Sequence, residues 1–324
     1  MKVGAEMANK PKVVFLERKA FTVDIEPSDL SAICDWTDFD ATTPSQVASR
    51  LSGATAALVV GISVGKAELE GADDLKFLSV CSTGIDHIDI DYCASRGIEV
   101  QGVNSYGTRA VAEHAMALLL SLKRNLPAFQ ADVRAGLWQK SGDYCLTTYP
   151  VEDLDGLRLG LIGAGEIGRA FAQLAEAFGM DVVRAERKGA QTVREGYVAF
   201  DTALKTCDVI SLHCPLTKEN RGMIGAKEFA AMERRPVLIN TARGALTDEA
   251  ALVEAIRSGK ISAAGIDVAS NEPISPENPL LELVDDHRLL LTPHMAWSSR
   301  QAQQRLYDLG VRNIEKFLLR QSVN

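Results

Sequence analysis

The amino-acid sequence predicts an α/β protein with two doubly wound domains, each built on a parallel sheet. Short, continuous apolar runs of roughly four residues recur along the 324 residues, and segments with helical periodicity lie between them. Continuous rather than alternating apolar runs are typical of parallel strands that are buried on both faces. The chain is also about twice the length of an average domain, so two domains are expected.

Nine apolar runs are predicted to be strands, because each is bounded by glycine, aspartate or proline. They cover residues 13–16, 57–60, 77–81, 159–162, 182–183, 209–212, 237–239, 263–266 and 289–291. Residues 110–122 and 300–319 have the apolar spacing of amphipathic helices. Alternation of strands and helices predicts parallel sheets that are covered by helices.

The composition argues against several other classes of protein. Hydrophobic residues make up 46% and charged residues 24%, as in ordinary globular proteins rather than disordered chains. The net charge of -8 disfavours nucleic acid and anionic membranes as partners. Six cysteines without metal-ligand spacing predict reduced thiols and no metal site. No signal-peptide core or membrane-length apolar stretch stands out, so a cytoplasmic location is expected.

The segment LRLGLIGAGEIGRA places a glycine-rich turn between a predicted strand and a predicted helix. In the pattern G-x-G-x-x-G, Gly163 permits a tight turn, Gly165 lets backbone approach a pyrophosphate, and Gly168 allows close packing of helix on strand. Glu166 and Ile167 lie between these glycines, at the helix N-terminus where an anion is favoured. The pattern predicts a Rossmann dinucleotide-binding domain.

The residues after the second strand of this domain bear on the choice of cofactor. Glu186 lies 18 residues beyond Gly168, close to where an acidic side chain accepts hydrogen bonds from the adenosine ribose. A carboxylate there repels a 2'-phosphate and favours NAD, whereas Arg187 and Lys188 would suit the 2'-phosphate of NADP. NAD is predicted, with NADP as the alternative. A solvated charged turn without a ligand is the third interpretation.

Two joints divide the chain into domains. The turn-rich segment GVNSYGT precedes the helix predicted at residues 110–122, and a strand gives way to the last helix near residues 294–298. We therefore predict a discontinuous domain of residues 1–107 plus 296–324, into which the dinucleotide-binding domain of residues 108–295 is inserted. A simple cut near residue 150 is the alternative.

Three segments place reactive side chains directly after predicted strands, where open α/β sheets bind ligands. Arg243 lies in LINTARGALTDEAAL, Asp267 and Glu272 in GIDVASNEP, and His294 in TPHMAW. Reduction of a 2-oxo acid requires a cation for the carboxylate and carbonyl and an acid for the oxygen. Arg243 and His294 could supply these, with Glu272 orienting the imidazole. Taken singly, each could instead be structural, for example Arg243 paired with Asp248.

From about residue 77 onwards the chain resembles the D-isomer-specific 2-hydroxyacid dehydrogenases. The matching segments are STGIDHIDID, NSYGTRAVAEHA, LGLIGAGEIGRA, ISLHCPLTKENRGMIG, LINTARGALTDEAAL, GIDVASNEP and TPHMAW. Within that family the sequence is most similar to the glycerate dehydrogenase, or hydroxypyruvate reductase, branch, through RAGLWQKSGDYCLTTYPVEDLDG and TPHMAW.

The resemblance implies a flavodoxin-like substrate domain, a homodimer, and reversible NAD(P)-dependent reduction of hydroxypyruvate or glyoxylate to the D-2-hydroxy acid. His294 would be the general acid, with Glu272 as its partner. The substrate-binding residues that it implies are Ser82, Thr83, Gly84, Ile85, Arg243, His294 and Trp297. The additional cofactor-binding residues that it implies are Thr108, Pro215, Asn220, Thr241, Ala242 and Asp267.

Two other functions stay open on the sequence. One is a D-2-hydroxyacid dehydrogenase of the D-lactate or phenyllactate type. The other is a nucleotide-sensing relative without catalytic activity, which would not require a complete set of Arg243, Glu272 and His294. The glutamate at position 272 argues against formate dehydrogenases, which carry glutamine there.

Overall fold

The computed structural model describes residues 10–22 and 25–321. The chain divides into two compact units. The first unit is discontinuous and consists of the described residues up to Gly107 and from Ser298 onwards, and the second is Thr108–Trp297. Each unit contains one parallel sheet with helices. The prediction of two parallel-sheet α/β domains is therefore confirmed.

Twelve strands are found in the described part of the chain. They are β1 (Lys12–Phe15), β2 (Asp35–Asp38), β3 (Ala56–Val59), β4 (Phe77–Val80), β5 (Glu99–Gly102), β6 (Arg158–Ile162), β7 (Asp181–Ala185), β8 (Tyr197–Val198), β9 (Val209–Leu212), β10 (Val237–Asn240), β11 (Ala263–Ile266) and β12 (Leu289–Leu291).

Ten α-helices lie between or after these strands in the same described ranges. They are α1 (Pro44–Leu51), α2 (Ile90–Ser95), α3 (Thr108–Lys123), α4 (Leu126–Arg134), α5 (Leu137–Ser141), α6 (Glu166–Ala177), α7 (Phe200–Thr206), α8 (Ala226–Ala231), α9 (Glu249–Arg257) and α10 (Arg300–Gln321). Short 3-10 helices cover Arg18–Ala20, Gly244–Leu246 and Pro279–Leu283. None of the helices described is both long and apolar enough to cross a membrane.

The sheet of the first unit has the strand order β2-β1-β3-β4-β5, with every pair parallel. This is the order of the flavodoxin-like sheet. The inner strands β3 and β4 are buried along their whole length. Helix α10 packs on this sheet, where Phe317 stacks on Phe77 with ring centroids 4.7 Å apart and Ser79 Oγ donates to the carbonyl of Gly310 at 2.8 Å.

The sheet of the second unit has the strand order β12-β11-β10-β9-β6-β7-β8, again entirely parallel. Counted from β6, this is the Rossmann order, and the direction of winding changes between β6 and β9. Buried side chains cover both faces, with Leu159 and Leu161 on one face and Ile210 and Leu212 on the other. The carboxyl ends of β6 and β9 therefore bound the crevice where such sheets bind ligands.

All nine strands predicted from apolar runs are present, within one or two residues of the expected bounds. The structure adds β2, β5 and β8, which lie at sheet edges and are half-exposed. Edge strands such as DWTD and EVQG carry polar residues because one side faces solvent, so a search for apolar runs does not find them.

Candidate active site

The three reactive segments of the second unit follow neighbouring strands. Arg243 comes three residues after the end of β10, Glu272 lies in the loop that follows β11, and His294 comes three residues after the end of β12. Because β10, β11 and β12 are adjacent and parallel, their carboxyl ends lie at one edge of the sheet. The fold thus brings together residues that lie up to 51 positions apart in sequence.

His294 and Glu272 form a direct pair. The imidazole Nδ1 lies 2.6 Å from Glu272 Oε2, and the two side chains are 41% and 37% exposed. The other carboxylate oxygen, Oε1, accepts a hydrogen bond from the N–H of Ala269 at 2.9 Å. Within the part of the chain that the structure describes, no group pairs with Nε2 of His294. That nitrogen is therefore available to a ligand.

Glu272 is held in its charged form by its surroundings. Burial alone would raise the pKa of Glu272. The hydrogen bond and charge of His294, the hydrogen bond from Ala269 N and the charge of Arg243 have the opposite effect and outweigh burial. The pKa of Glu272 therefore lies below its usual range. A carboxylate that stays ionised stabilises a protonated imidazole beside it. The pair can therefore hold a proton ready for transfer from Nε2.

Asp267 fixes the loop that carries His294. Its side chain is fully buried, Oδ1 accepts from Thr292 Oγ1 at 2.6 Å and from Met295 N at 2.9 Å, and Oδ2 accepts from Ala296 N at 2.9 Å. Its backbone carbonyl accepts from His294 N at 2.7 Å. His294 has φ of 49°, a left-handed conformation that a non-glycine residue keeps only when its neighbours fix it. A contact of Asp267 with the nicotinamide stays a prediction.

His114, on helix α3, extends this network and was not singled out from the sequence. Its Nε2 lies 3.0 Å from Thr292 Oγ1 and 3.4 Å from Asp267 Oδ1. The Thr292 hydroxyl gives its one proton to Asp267, so Nε2 of His114 must be the donor. Burial alone would raise the pKa of Asp267, but the hydrogen bonds from His114, Thr292 and the loop backbone keep that pKa below its usual value.

Arg243 is positioned by its own loop. The Asn240 side chain makes two of the bonds: Nδ2 donates to the carbonyl of Arg243 at 2.9 Å, and Oδ1 accepts from Ala242 N at 3.1 Å. Nη1 of Arg243 itself donates to Ala242 O at 2.8 Å. Any Cβ on Gly244 would collide with the backbone of Ala269, so only glycine lets the arginine loop pack against the loop of Glu272. The two loops are therefore built to lie side by side.

Glu249, at the start of helix α9, is a second buried support that sequence reasoning missed. It accepts from Ser270 N and Ser270 Oγ, both at 2.6 Å, and from Asn278 Nδ2 at 2.8 Å. These bonds fix the backbone two residues before Glu272. Nothing in the local sequence distinguishes Glu249 from other acidic residues in first helical turns, so only the fold identifies it.

The glycine turn has the geometry of an anion cradle. Gly163 has φ of 98°, and a Cβ there would lie 2.5 Å from the N of Cys214, while a Cβ on Gly168 would collide with the carbonyl of Gly163. Nothing lies within 4 Å of a Cβ position on Gly165, so that face is open to a ligand. Helix α6 begins at Glu166, where the N–H groups of its first turn, including that of Ile167, lack helical partners.

Other residues that are predicted to bind the cofactor lie in the same unit as this turn. Thr108 Oγ1 donates to Glu166 Oε2 at 3.4 Å. Asn220 closes its own loop, with Nδ2 donating to Pro215 O at 2.8 Å. The hydroxyl of Thr241 is buried and has no partner in the part of the chain described here. Thr241 directly follows β10, at the same carboxyl edge of the sheet as the glycine turn. An orphaned hydroxyl at this edge fits a bound dinucleotide, which would satisfy it.

The charged residues after β7 are paired in ways that the sequence did not reveal. Glu186 is buried and receives two hydrogen bonds from Arg194, with Nε–Oε2 at 2.7 Å and Nη2–Oε1 at 2.8 Å. Lys188 Nζ lies 2.8 Å from Glu228 Oε1 and donates to Met223 O at 2.9 Å. Arg187 is exposed.

The loop after β4 in the first unit contains the four residues that are predicted to bind the substrate carboxylate. Ser82 Oγ donates to Gly84 O at 2.7 Å and Thr83 Oγ1 donates to Val103 O at 3.2 Å, which fixes the loop. The N–H groups of Thr83, Gly84 and Ile85 have no partner among residues 10–22 and 25–321. Three successive free N–H groups are typical of an anion-binding nest. Trp297, the other predicted substrate residue, is half-buried at the end of the second unit.

Comparisons with known proteins identify the family of the chain. Residues 116–296 match the family described as "D-isomer specific 2-hydroxyacid dehydrogenase, NAD binding domain". The glycerate dehydrogenase of Methylorubrum extorquens is 38% identical over 308 residues, which cover 95% of this chain and 96% of that enzyme.

Two solved structures show similar folds. The D-lactate dehydrogenase of Aquifex aeolicus, complexed with NAD and lactic acid, has a TM-score of 0.80 and 29% identity, covering 94% of this chain and 95% of that one. An NADPH-dependent glyoxylate/hydroxypyruvate reductase of Sinorhizobium meliloti has a TM-score of 0.78 and 27% identity, covering 94% of each chain.

Proposed function

The chain belongs to the D-isomer-specific 2-hydroxyacid dehydrogenases, and on that premise we propose that it reduces hydroxypyruvate or glyoxylate to the D-2-hydroxy acid. The observation that carries the proposal is the His294–Glu272 pair at 2.6 Å, with Arg243 on the adjoining loop. The most similar curated relatives include a glycerate dehydrogenase, whose name corresponds to the reverse of hydroxypyruvate reduction. Reduction and oxidation use the same site by microscopic reversibility.

The second unit would hold the cofactor through the glycine turn, with Thr241 and the N-terminus of helix α6 contributing contacts. When bound, a reduced nicotinamide dinucleotide supplies the hydride. The chain's own residues must then bind the 2-oxo acid, polarise its carbonyl and deliver a proton.

Arg243 would bind the substrate through its guanidinium, which matches a carboxylate and an adjacent carbonyl oxygen. In the first unit, the three N–H groups of Thr83, Gly84 and Ile85 have the arrangement of an anion-binding nest, and we propose them as carboxylate ligands. His294 would donate the proton from Nε2 to the carbonyl oxygen, because Nδ1 is committed to Glu272. Glu272 keeps the ring oriented and offsets the positive charge that the ring carries before transfer.

The proposal is tested by initial rates of NADH and NADPH oxidation with hydroxypyruvate, glyoxylate, pyruvate and phenylpyruvate. We expect the highest kcat/KM with hydroxypyruvate or glyoxylate. A preference for pyruvate or phenylpyruvate would contradict the proposed substrate and favour the D-lactate or phenyllactate type. Absence of turnover with all four acids, despite cofactor binding, would instead favour a nucleotide-sensing role.

A homodimer and a cytoplasmic location remain proposals. The dimer is supported by large apolar side chains exposed on a short stretch of the second unit. These are Leu126, Val133, Leu137, Trp138 and Val151. Exposed apolar side chains concentrated in one segment are typical of an association surface.

Sedimentation velocity tests the dimer. We expect the wild-type chain to sediment as a dimer and the double variant Val133→Asp and Trp138→Glu as a monomer. Val284→Asp, at an exposed apolar residue outside this stretch, is the matched control and should remain dimeric. A monomeric wild type would contradict the proposal.

A further inference from the structure

The Glu186 carboxylate is fully occupied by the protein itself. Besides the two bonds from the Arg194 guanidinium, Oε1 accepts from Arg187 N at 2.8 Å and Oε2 accepts from Arg194 N at 3.3 Å. The side chain is only 6% exposed. A ribose hydroxyl could reach this carboxylate only by displacing Arg194, so the usual acceptor of NADH-specific sites is not available.

The carboxylate of this pair stays ionised at working pH. The hydrogen bond from Arg194, followed by that from Arg187 N, lowers the pKa of Glu186 to about 2. The guanidinium of Arg194 also lies 4.0 Å above the ring centroid of Tyr197, which holds its plane. Glu186 and Arg194 therefore contribute no net charge at neutral pH.

The basic side chains that follow β7 differ in whether they are paired. Lys188 is neutralised by Glu228 at 2.8 Å. Arg187 is exposed, and its side chain has no partner in the part of the chain that the structure describes. The Nη1 group of Arg194 likewise has none, since Glu186 takes only Nε and Nη2. With the exposed carboxylate of Glu195 included, the charges of residues 186–195 and Glu228 balance. The segment is therefore distinguished by the guanidinium donors of Arg187 and by Nη1 of Arg194, which no described residue engages.

We propose that Arg194 is a cofactor-selecting residue: by holding Glu186 it removes the acceptor for a ribose 2'-hydroxyl and, with Arg187, leaves donors for the 2'-phosphate of NADPH. A phosphate binds guanidinium donors through short, charge-assisted hydrogen bonds. The repulsion expected between Glu186 and a 2'-phosphate is cancelled because the carboxylate is already neutralised. The chain therefore binds NADPH at least as tightly as NADH. This inference rests on the proposed function only in taking the ligand to be a nicotinamide dinucleotide.

The test is the dissociation constant of each cofactor, measured by isothermal titration calorimetry at one fixed ionic strength, so that turnover is not needed. For the wild type we expect NADPH to bind about tenfold more tightly than NADH. Arg187→Ala should weaken NADPH binding by about the same factor and leave NADH unchanged. Arg312→Ala, at an exposed arginine on α10 of the first unit, is the matched control for net charge and should change neither.

Two variants of the Glu186–Arg194 pair distinguish this proposal from the alternative in which Glu186 accepts a hydrogen bond from the adenosine ribose of NADH. Glu186→Gln should leave NADH binding unchanged, because the carboxylate does not touch the ribose, and should not weaken NADPH binding. Arg194→Gln should free Glu186 and move the preference toward NADH. Circular dichroism and thermal unfolding of both variants identify any loss of fold. If either variant fails to fold, Arg187→Ala still tests whether a guanidinium binds the 2'-phosphate, because Arg187 is exposed.

The outcomes separate the possible failures. If Glu186→Gln weakens NADH binding while the wild type prefers NADH, Glu186 contacts the ribose and the proposal is overturned. Equal losses for both cofactors in Arg187→Ala would also overturn it, because the 2'-phosphate would then not be the group recognised. If neither cofactor binds the wild-type chain, the proposed function itself fails.

Discussion

Two glutamates of the second unit, each in the segment after a strand, are paired with nitrogen-bearing side chains in contrasting ways. Glu186 is almost fully buried and is bonded to an arginine through two side-chain hydrogen bonds and two backbone N–H groups. Glu272 is 37% exposed and is bonded to a histidine through one hydrogen bond and to one backbone N–H group. Both carboxyls have a pKa below the usual range.

The difference lies in what the partner can do. Arginine keeps its proton throughout the physiological range, so the Glu186–Arg194 pair keeps both of its charges and cannot transfer a proton there. Histidine can gain and lose a proton near neutral pH, and Nε2 of His294 is open to a ligand. We therefore propose different roles for the two carboxylates: Glu186 takes part in cofactor selection, and Glu272 supports proton transfer by His294.

The largest effect is expected from removing the proton donor. His294→Ala should lower kcat for hydroxypyruvate by about a thousandfold, because the imidazole that we propose as the proton donor to the carbonyl oxygen is removed. Cofactor dissociation constants should stay within about twofold of wild type, since the imidazole does not form the glycine cradle. The measurement is steady-state kinetics with parallel calorimetry. Wild-type kcat across the pH range would rule out the proton-transfer role.

The second largest effect is expected from removing the guanidinium of Arg243. Arg243→Ala should lower kcat/KM by about a hundredfold, with KM for the 2-oxo acid raised, because carboxylate binding and carbonyl polarisation are both lost. Added guanidinium chloride at low concentration should restore part of the activity, as expected when a missing side chain is replaced by a free analogue. Arg257→Ala, at an exposed arginine of helix α9 paired with Glu282, is the matched control. An unchanged KM would contradict substrate binding by Arg243.

A smaller effect is expected when the partner of His294 loses its charge. Glu272→Gln keeps the shape of the side chain but no longer stabilises the protonated imidazole, so the alkaline limb of the reductive pH profile should move to lower pH. Because the pKa of Glu272 is lowered, the wild-type carboxylate stays charged throughout the range of assay. The kcat/KM profile with hydroxypyruvate measures the shift. Coincident profiles would disprove the coupling.

The smallest effect is expected for the pH dependence of cofactor binding at the Glu186–Arg194 pair. Because the pKa of Glu186 is about 2, its charge does not change between about pH 5 and pH 8, and the ratio of NADH to NADPH dissociation constants should be constant over that range. Calorimetric titrations at several pH values provide the measurement, with correction for ionisation of the 2'-phosphate of NADPH. A ratio that still varies with pH after that correction would show that a titrating group on the protein contributes to cofactor selection.

The sequence predicts the inner strands and the reactive segments for one physical reason. Strands buried on both faces must be apolar, and ligands bind where such strands end, so the positions of Arg243, Glu272 and His294 taken together predict a site. The edge strand Asp35–Asp38 escapes detection because solvent on one side removes the apolar requirement. The motifs also identify the family, which the comparisons confirm.

The contacts that support the site are not predictable in the same way. Asp267 acts through the backbone N–H groups of Met295 and Ala296, which any residue type provides. His114 meets Thr292 only because helix α3 lies beside that loop. Arg194 reaches Glu186 through the path of the intervening loop, which has no apolar periodicity. Such long-range polar pairs follow from the complete fold, not from local patterns.

A double-mutant cycle on kcat with hydroxypyruvate tests whether Glu272 acts through His294. The variants are His294→Ala, Glu272→Ala and the double variant. We expect the double variant to be no slower than His294→Ala alone, because the glutamate then has no imidazole to act on. Losses that multiply in the double variant would show that the two residues contribute independently, and Glu272 would then not act through His294.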